Sequence, residues 1–149
     1  MDISVIAPIF NEEDNVDRLV KKIEVVLKNN FTTYEILLIN DGSTDKTKEI
    51  LDNLNNENVR VFHFEKNCGQ TAGIAAGFRK AEGNIIVTID ADLQTDPEDI
   101  MVLYSHINEY DMINGRRATR EDGIVKKVSS WVGNSMRNLI TGDDIKDTG

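Results

Sequence analysis

The sequence repeats one pattern, in which a short apolar segment is followed by polar or acidic residues and then by apolar residues at helical spacing. The apolar segments begin near Ser4, Tyr34, Val59 and Ile85. Strands that alternate with helices in this way favour an α/β fold with a mostly parallel sheet and helices on both faces. Parallel strands end at a common edge, where open α/β folds bind ligands. We therefore expect the acids that follow these segments to gather at that edge: Glu12, Asp41, Asp90 and Asp92.

The stretch from Ile85 to Gln94 carries the clearest chemical signal. Its first five residues are rich in β-branched side chains and predict a strand that is covered on both faces. The strand runs directly into Asp90 and Asp92, whose side chains leave extended backbone on the same side, with Gln94 next in the series. Hard oxygen ligands of this kind suit Mg²⁺ or Mn²⁺. We therefore predict a divalent metal site formed by Asp90, Asp92 and Gln94.

Capping residues predict where the helices begin and end. We expect three N-caps and one glycine just past a helix end: Asn11, Ser43 or Thr44, Asp96, and Gly83. Small residues over 72–77 predict a third helix that lies close to the sheet. A fifth short strand is predicted over 111–114, and a last amphipathic helix over 128–139.

The composition limits the classes of partner. A chain of 149 residues fits one domain, and its net charge of −9 argues against nucleic acid as a partner, because binding to phosphates needs a basic face. The single cysteine, Cys68, permits no internal disulfide, which fits a reducing compartment. No apolar run approaches the ~20 residues of a membrane span, and the N-terminus lacks a basic leader, so we expect a cytoplasmic chain.

One segment departs from the acidic balance of the chain. Residues 116–127 contain five basic and two acidic side chains. A solvated loop is the simplest interpretation of this segment. A basic loop opposite an acidic sheet edge would instead suit a diphosphate or an anionic acceptor, and this second interpretation is favoured.

The common nucleotide-binding motifs are absent from the sequence. There is neither a Gly-x-Gly-x-x-Gly after the first strand nor a Gly-x-x-x-x-Gly-Lys-Ser/Thr, which disfavours a dinucleotide oxidoreductase and a P-loop NTPase. A metal held by carboxylates remains. Its chemical use would be to stabilise the charge on a departing nucleoside diphosphate.

Four motifs, in their order and spacing, resemble the nucleotide-binding half of a family 2 glycosyltransferase with the GT-A fold. They are Val5-Ile6-Ala7-Pro8-Ile9-Phe10-Asn11-Glu12-Glu13, Ile39-Asn40-Asp41-Gly42-Ser43-Thr44-Asp45, Lys66-Asn67-Cys68-Gly69, and Asp90-Ala91-Asp92-Leu93-Gln94 with Asp96-Pro97. The last motif and the later Gly115-Arg116-Arg117-x-x-Arg120 are most similar to the branch that contains dolichyl-phosphate mannose synthases and undecaprenyl-phosphate glucosyltransferases. The resemblance covers nearly the whole chain.

The resemblance implies a role for each matching position. Asp92 and Arg117 would be the catalytic residues. Arg120 and Lys126 would join Arg117 in facing the diphosphate or a lipid phosphate. The residues implied to bind the nucleotide sugar are Pro8, Phe10, Glu12, Asp41, Lys66, Asp90, Ala91, Gln94, Arg117 and Arg120.

The implied reaction is the inverting transfer of a hexose from a UDP- or GDP-sugar to an acceptor, most directly a polyprenyl phosphate. Such a phosphate is already anionic near neutral pH, so no side-chain base is needed. Members of this branch continue past the position of Gly149, and many carry membrane helices. We therefore expect residues 1–149 to be an incomplete nucleotide-sugar-binding domain, whose full-length protein would work at the cytoplasmic face of a membrane.

Two alternatives stay open at this point. Asp90-x-Asp92 after an apolar strand is similar to the nucleophile motif of haloacid-dehalogenase-type phosphatases, and Gly142-Asp143-x-x-x-Asp147 is similar to their metal-binding motif. Against this class, Gln94 replaces the expected Thr or Val, and the first motif normally follows an early strand. The other alternative is a module that binds a sugar nucleotide without turnover.

Overall fold

The helices and strands of the protein alternate along the chain. The computed structural model describes residues 1–115, and within this range all regular elements belong to one compact unit, Met1–His106. The elements are β1 (Ile3–Ile9), α1 (Val16–Asn30), β2 (Tyr34–Asn40), α2 (Thr47–Asp52), β3 (Val59–His63), α3 (Gln70–Lys80), β4 (Ile85–Thr88) and α4 (Asp99–Tyr104). The predicted helix over 128–139 lies outside the described residues.

The four strands form one sheet in the order β3-β2-β1-β4, and each neighbouring pair is parallel. Strand β1 lies beside both β2 and β4, with Ile3 level with Tyr34 on one side and with Ile85 on the other. All four strands therefore end at the same edge. The predicted α/β architecture with a parallel sheet is confirmed.

The two faces of the sheet are covered by different helices. Alternate residues of β1, from Ile3 to Ile9, pack with α1 residues such as Leu19 and Ile23 in the larger buried cluster. The residues between them turn to the other face, where Ile6 packs with Leu37 and Ile39 of β2. Helix α3 covers that second face. Successive side chains of β1 thus point to opposite faces of the sheet, and both faces are packed against a buried cluster, as expected for a buried parallel sheet.

Helix α3 approaches the sheet unusually closely, which confirms the prediction made from its small residues. A Cβ atom on Gly73 would lie 3.1 Å from Pro8 Cβ, and one on Gly77 would lie 3.0 Å from Ile6 Cδ1 and still closer to Ile6 Cγ2. Glycine is needed at Gly77 because the β1 side chain already fills the space.

The predicted starts of α1 and α2 are wrong, because the side chains expected to cap these helices bind elsewhere. Helix α1 begins at Val16 after Asn15, and Asn11 has left-handed backbone with φ of 55°. Helix α2 begins at Thr47 after Lys46. Ser43, expected as a cap, instead accepts a hydrogen bond from the Asn11 backbone N–H at 3.0 Å.

The expected boundaries of α3 and α4 also require correction. Helix α3 ends at Lys80, so Gly83 does not terminate it, and a Cβ on Gly83 would lie 2.5 Å from the Ser4 backbone nitrogen. Close packing against β1 explains this glycine. Helix α4 begins at Asp99 and not at Pro97. Asp96 nevertheless lies just before it as expected, since its Oδ1 accepts the Glu98 N–H at 3.3 Å and its backbone oxygen accepts the Asp99 N–H at 2.9 Å.

Strand β4 is shorter and more exposed than predicted. It ends at Thr88, and Ile86 is 37% exposed. Ile86 lies on the same face of the sheet as Ile6, the face that α3 covers. Among the described residues β4 is the edge strand of the sheet. Because Ile86 is exposed on one face, the expectation that β4 is covered on both faces is wrong within this part of the chain. The fifth strand predicted over 111–114 is not formed either. Across residues 1–115, no helix is both long and apolar enough to cross a membrane.

A buried carboxylate joins the strands at the edge opposite their carboxyl ends. Glu35 is 1% exposed, and its Oε1 accepts hydrogen bonds from Ser4 Oγ at 2.6 Å and from the Glu82 N–H at 2.7 Å. Arg60 donates to Glu35 Oε2 at 2.6 Å and to Glu82 Oε1 at 3.0 Å. Burial raises the pKa of Glu35, but the hydrogen bonds from Ser4, Glu82 and Arg60 outweigh it and hold the pKa below 4.5.

We predict that Glu35 makes the fold acid-sensitive. Because its pKa is lower in the folded state, its ionised form stabilises the fold above about pH 4.5, and this contribution is lost as the pH falls through the folded-state pKa. Glu35→Gln should cost about 1–3 kcal/mol at pH 7 and should flatten the loss of stability below pH 4.5. Denaturant unfolding between pH 3 and 7 measures both effects. The exposed Glu65→Gln serves as the control, and an equal acid dependence in all three proteins would contradict the assignment.

We also predict that Gly77→Ala destabilises the protein by about 1–3 kcal/mol, although alanine favours helix, because its methyl group overlaps Ile6. Thermal unfolding measures the loss. In an Ile6→Ala background the same substitution enters a cavity, so its cost should shrink or reverse sign. An unchanged cost in that background would show that the close approach of α3 to β1 is not the cause.

Candidate functional site

A cleft of about 380 Å³ lies at the carboxyl edge of the sheet. It is built from the end of β1, the end of β2, the start of α3 and the segment after β4. Its lining residues are Pro8, Ile9, Phe10, Glu12, Asp41, Asn67, Gly69, Gln70, Asp90, Ala91 and Asp92. The four acids that we expected to gather at this edge all line the cleft. The sheet topology therefore brings together acids that lie up to 80 residues apart in the sequence.

The segments that follow β1 and β2 hold one another by reciprocal hydrogen bonds. The Asn11 side-chain oxygen accepts the Thr44 N–H at 2.8 Å, while the Asn11 N–H donates to Ser43 Oγ. The Glu12 N–H donates to Thr47 Oγ1 at 2.8 Å, and Thr47 is fully buried. These polar side chains therefore complete the backbone of a neighbouring segment, which fixes one wall of the cleft.

Two acids extend this connection. Glu13 Oε2 accepts the Lys46 N–H at 2.8 Å, and Asp45 Oδ2 accepts the Glu13 N–H at 3.3 Å. Burial raises the pKa of Asp45, but hydrogen bonds from Thr47 and the Glu13 backbone outweigh it and lower the pKa below 3.8. The carboxylate of Asp45 is thus kept ionised as a structural acceptor.

A chain of hydrogen bonds among three side chains, Asn40, His63 and Asp52, fixes the end of β2. Asn40 is 1% exposed, and its Oδ1 accepts the Ser43 N–H at 3.0 Å. This contact turns the Asn40 amide so that Nδ2 donates to His63 Nδ1 at 2.9 Å. His63 then carries its proton on Nε2, which lies 2.9 Å from Asp52 Oδ1. Strand β3 and helix α2 therefore both fix the residue just before Asp41.

Asp41 is the most deeply buried acid of the cleft, at 3% exposed. Its Oδ1 accepts the Cys68 N–H at 2.7 Å, and its Oδ2 accepts the Gly69 N–H at 2.8 Å. The next residue, Gly42, has φ of 68°, and a Cβ there would lie 2.6 Å from the Asn67 nitrogen. Asp41 therefore binds the segment before α3 tightly to the end of β2, a structural role that its position in the sequence did not reveal.

Gln70 links this segment to the other side of the cleft. It is the first residue of α3, after Gly69 with φ of 92°, and its Nε2 donates to Asp90 Oδ1 at 2.7 Å. Asp90 is exposed, in contrast to Asp41. The three residues 68–70 thus contact both Asp41 and Asp90.

The segment after β4 turns sharply around a non-glycine residue. Leu93 has φ of 59°, and its side chain packs against the main core. Leu93 therefore holds an uncommon backbone conformation by burying an apolar side chain. Asp92 Oδ1 accepts the Gln94 N–H at 3.0 Å across this turn, and Asp92 itself remains exposed at the cleft.

The predicted site residues have different positions. Seven of them line the cleft: Pro8, Phe10, Glu12, Asp41, Asp90, Ala91 and Asp92. Lys66 and Gln94 do not line it, and both are exposed. Arg117, Arg120 and Lys126 lie outside the described residues. Within the described part of the chain, no three His, Cys, Asp or Glu side chains are grouped closely enough to hold a metal by themselves.

Four cleft residues were given no site role from the sequence: Ile9, Asn67, Gly69 and Gln70. For Gly69 and Gln70 a signal was available, since a glycine followed by a polar residue begins a helix just after a strand ends. This signal was not decisive, because Gln70 lies near Asp90 only as a result of the strand order. That order places β1 beside both β2 and β4 and cannot be read from the sequence around Gln70.

Comparison with known proteins gives one family. A family model described as Glycosyl transferase family 2 matches residues 4–148. The chain is 36% identical over 152 residues to an undecaprenyl-phosphate 4-deoxy-4-formamido-L-arabinose transferase from Photorhabdus laumondii, covering 99% of the chain and 46% of that protein. It is 36% identical over 155 residues to a dodecaprenyl-phosphate galacturonate synthase from Rhizobium johnstonii, covering 100% of the chain and 46% of that protein. The chain thus spans less than half the length of these relatives.

A solved structure supports the fold. Glucosyl-3-phosphoglycerate synthase from Mycobacterium tuberculosis, crystallised with Mn²⁺, UDP and phosphoglyceric acid, matches with a TM-score of 0.64 at 21% identity. The match covers 93% of this chain and 50% of that one. At this identity the likeness concerns the fold, which is that of GT-A glycosyltransferases.

We predict that Asp41→Asn loosens the segment before α3. An asparagine replaces one acceptor oxygen with an N–H donor, which must face either the Cys68 or the Gly69 N–H. The cost should be about 1–3 kcal/mol of stability, because a buried donor loses its partner. Hydrogen exchange provides the local measurement, with faster exchange expected at the Cys68 and Gly69 amides. Asp17→Asn, on the exposed surface of α1, is the matched control, and unchanged exchange at both amides in Asp41→Asn would contradict the assignment.

Proposed function

The chain belongs to glycosyl transferase family 2, and from this premise we propose that it binds the donor for transfer of a hexose from a UDP- or GDP-sugar to a polyprenyl phosphate. Residues 1–149 would form the nucleotide-sugar-binding domain of the enzyme. The names of two relatives, an undecaprenyl-phosphate transferase and a dodecaprenyl-phosphate synthase, support the class of acceptor. The solved neighbour with bound UDP supports a donor whose leaving group is a nucleoside diphosphate.

The observation that carries the proposal is the convergence of acids and small residues in one cleft at the end of the parallel strands. Pro8 and Phe10 offer apolar surface, and Phe10 is 43% exposed there. An exposed aromatic ring at a ligand-binding edge suits a flat nucleobase. Glu12 supplies carboxylate oxygens that can accept from the N–H and O–H groups of a nucleoside. Asp41, whose oxygens already accept the Cys68 and Gly69 N–H groups, would contribute only the small part of its carboxylate that the cleft exposes. The cleft volume of about 380 Å³ lies at the lower end of the range for small-molecule sites.

The residues of the cleft fit a divalent cation of the hard, oxygen-binding kind. Asp90 and Asp92 are exposed, and their oxygens are the donors that Mg²⁺ and Mn²⁺ prefer. With only two such carboxylates, and no three-ligand group in the described chain, the protein alone offers few ligands. Magnesium sites of this type are completed by substrate phosphates and water. Asp92, with Asp90 and Gln94 as the further candidates, would hold the ion, which when bound would neutralise charge on the diphosphate.

The remaining roles belong to the protein. Asp90 and Ala91 would contact the ribose and the phosphates, and Lys66 would meet a phosphate. Arg117, Arg120 and Lys126 would face the diphosphate or the acceptor phosphate. Because a polyprenyl phosphate is already anionic near neutral pH, its oxygen can attack the anomeric carbon without a side-chain base, with inversion at that carbon and departure of the nucleoside diphosphate. The task of the cleft is to orient the donor and to stabilise the leaving group.

Family membership favours a transferase over the phosphatase suggested by Asp90-x-Asp92. The second candidate function is a module that binds sugar nucleotides without turnover. That candidate would use the same acids and apolar side chains of the cleft.

We predict that the chain binds UDP or GDP, or the corresponding sugar nucleotides, and that Mn²⁺ strengthens the binding. Asp92→Asn should weaken metal-dependent binding by at least about tenfold, since a neutral amide is a poorer ligand for a divalent cation. Isothermal titration with and without Mn²⁺ measures both effects.

The control for this experiment is Asp17→Asn on α1, where the carboxylate only faces Lys21 at 3.7 Å. It should bind like the wild type. No metal-dependent binding of either nucleotide to the wild-type chain would refute the proposed function. Hexose transfer to a short polyprenyl phosphate then separates an enzyme from a binding module.

A further inference from the structure

We propose that Gln70 is a positioning residue for Asp90, which it holds so that the second carboxylate oxygen faces the nucleotide donor. The inference rests on the proposed function, because the benefit of the contact is realised only when a donor occupies the cleft. Gln70 belongs to none of the motifs that suggested the family, and its place in the site follows from the geometry alone.

The first step is the way in which the structure fixes Gln70. The two preceding residues are held by their backbone N–H groups, since Cys68 and Gly69 both donate to the buried carboxylate of Asp41. Gly69, with φ of 92°, turns the chain into α3 immediately before Gln70. The backbone of Gln70 is therefore anchored to β2, although its side chain reaches toward the end of β4.

The second step concerns the oxygens of Asp90. Oδ1 accepts the Gln70 Nε2–H at 2.7 Å, a short hydrogen bond to a charged group. In the described part of the chain, Oδ2 has no protein partner. A single donor on Oδ1 limits rotation of the carboxylate and leaves Oδ2 available to a ligand in the cleft that Asp90 lines. An acid held in this way loses less conformational freedom when a ligand binds.

The third step is electrostatic. Asp90 and Asp92 are separated by one residue, and two carboxylates so close in the chain repel each other unless something positive lies between them. The Gln70 amide presents the positive end of its dipole to Asp90 without adding a net charge. A lysine or arginine at this position would compete with a cation for Asp90, whereas an amide donor orients the acid and leaves its negative charge for the ligand. The residue type therefore matches a positioning role.

A double-mutant cycle tests the inference. Gln70→Met keeps the length and the helix propensity of the side chain but removes the donor. In the wild-type background it should weaken binding of UDP or GDP with Mn²⁺ by about 3- to 10-fold. This is less than the loss of a hydrogen bond made directly to the ligand, because the contact with Asp90 exists with and without nucleotide and only its ordering of Asp90 is lost. In an Asp90→Ala background the same substitution should change the affinity by less than about 2-fold, because a residue that acts through Asp90 has nothing left to position.

The outcomes separate this inference from the proposed function. Absence of nucleotide binding by the wild type overturns the proposed function and this inference with it. Binding by the wild type with equal losses for Gln70→Met in both backgrounds overturns only the positioning role, since a purely structural residue would act independently of Asp90. Thr71→Val, the exposed neighbour on α3, is the control and should bind like the wild type.

A second measurement does not depend on the stability of the Gln70 variant. In the free protein, the side-chain amide signals of Gln70 in a ¹H–¹⁵N spectrum should shift when Asp90 is replaced by alanine, because Nε2 loses its acceptor. Thr71→Val should leave these signals in place. Unchanged Gln70 signals in Asp90→Ala would show that the contact is not formed in solution, and the inference would fail.

Discussion

The cleft depends on how backbone N–H groups are satisfied where the parallel strands end. Each strand leaves the sheet at the same edge, and the amides beyond it no longer have ladder partners. Side chains from neighbouring segments accept them: Ser43 accepts from Asn11, Thr47 from Glu12, and Asp41 from Cys68 and Gly69. A connection that would otherwise be a mobile loop is thus bound to the adjacent one. The shape of the cleft follows from these few polar contacts, and the apolar core only sets where the strands end.

The core could be predicted because its signals are local. Alternation in β1 and the helical spacing of α1 depend on residues that are close in sequence, and hydrophobic burial rewards each of them independently. Helix starts could not be predicted in the same way. Asn11 and Ser43 are good capping residues, yet each accepts a backbone N–H from the other's segment, about 32 positions away in the sequence. No local rule predicts that these side chains form such long-range hydrogen bonds instead of capping a helix. The exposed face of β4 was missed for a related reason, since an apolar run does not reveal whether its strand lies at an edge.

The site shows the same division. Topology alone predicted that acids after different strands would converge, and Glu12, Asp41, Asp90 and Asp92 do line one cleft. The sequence could not distinguish their structural duties. Asp41 was expected to bind a ligand, but both of its oxygens accept backbone N–H groups. The resemblance implied that Lys66 binds the nucleotide sugar, but Lys66 does not line the described cleft. Gln70 was passed over because its partner belongs to another strand.

Asp41 and Asp90 illustrate why a binding site of this kind needs two sorts of carboxylate. A buried acid such as Asp41, already bound through both oxygens, pays the cost of desolvation once, during folding, and then holds neighbouring backbone rigidly. It has little exposed surface left for a ligand. An exposed acid such as Asp90 keeps its charge available, but unless it is oriented it must lose rotational freedom whenever a ligand binds. Because the segment 68–70 contacts both acids, the rigidity established at Asp41 is transmitted to Asp90 through Gln70. The site can therefore be ordered before the donor arrives while its charge remains available to the donor and to a cation.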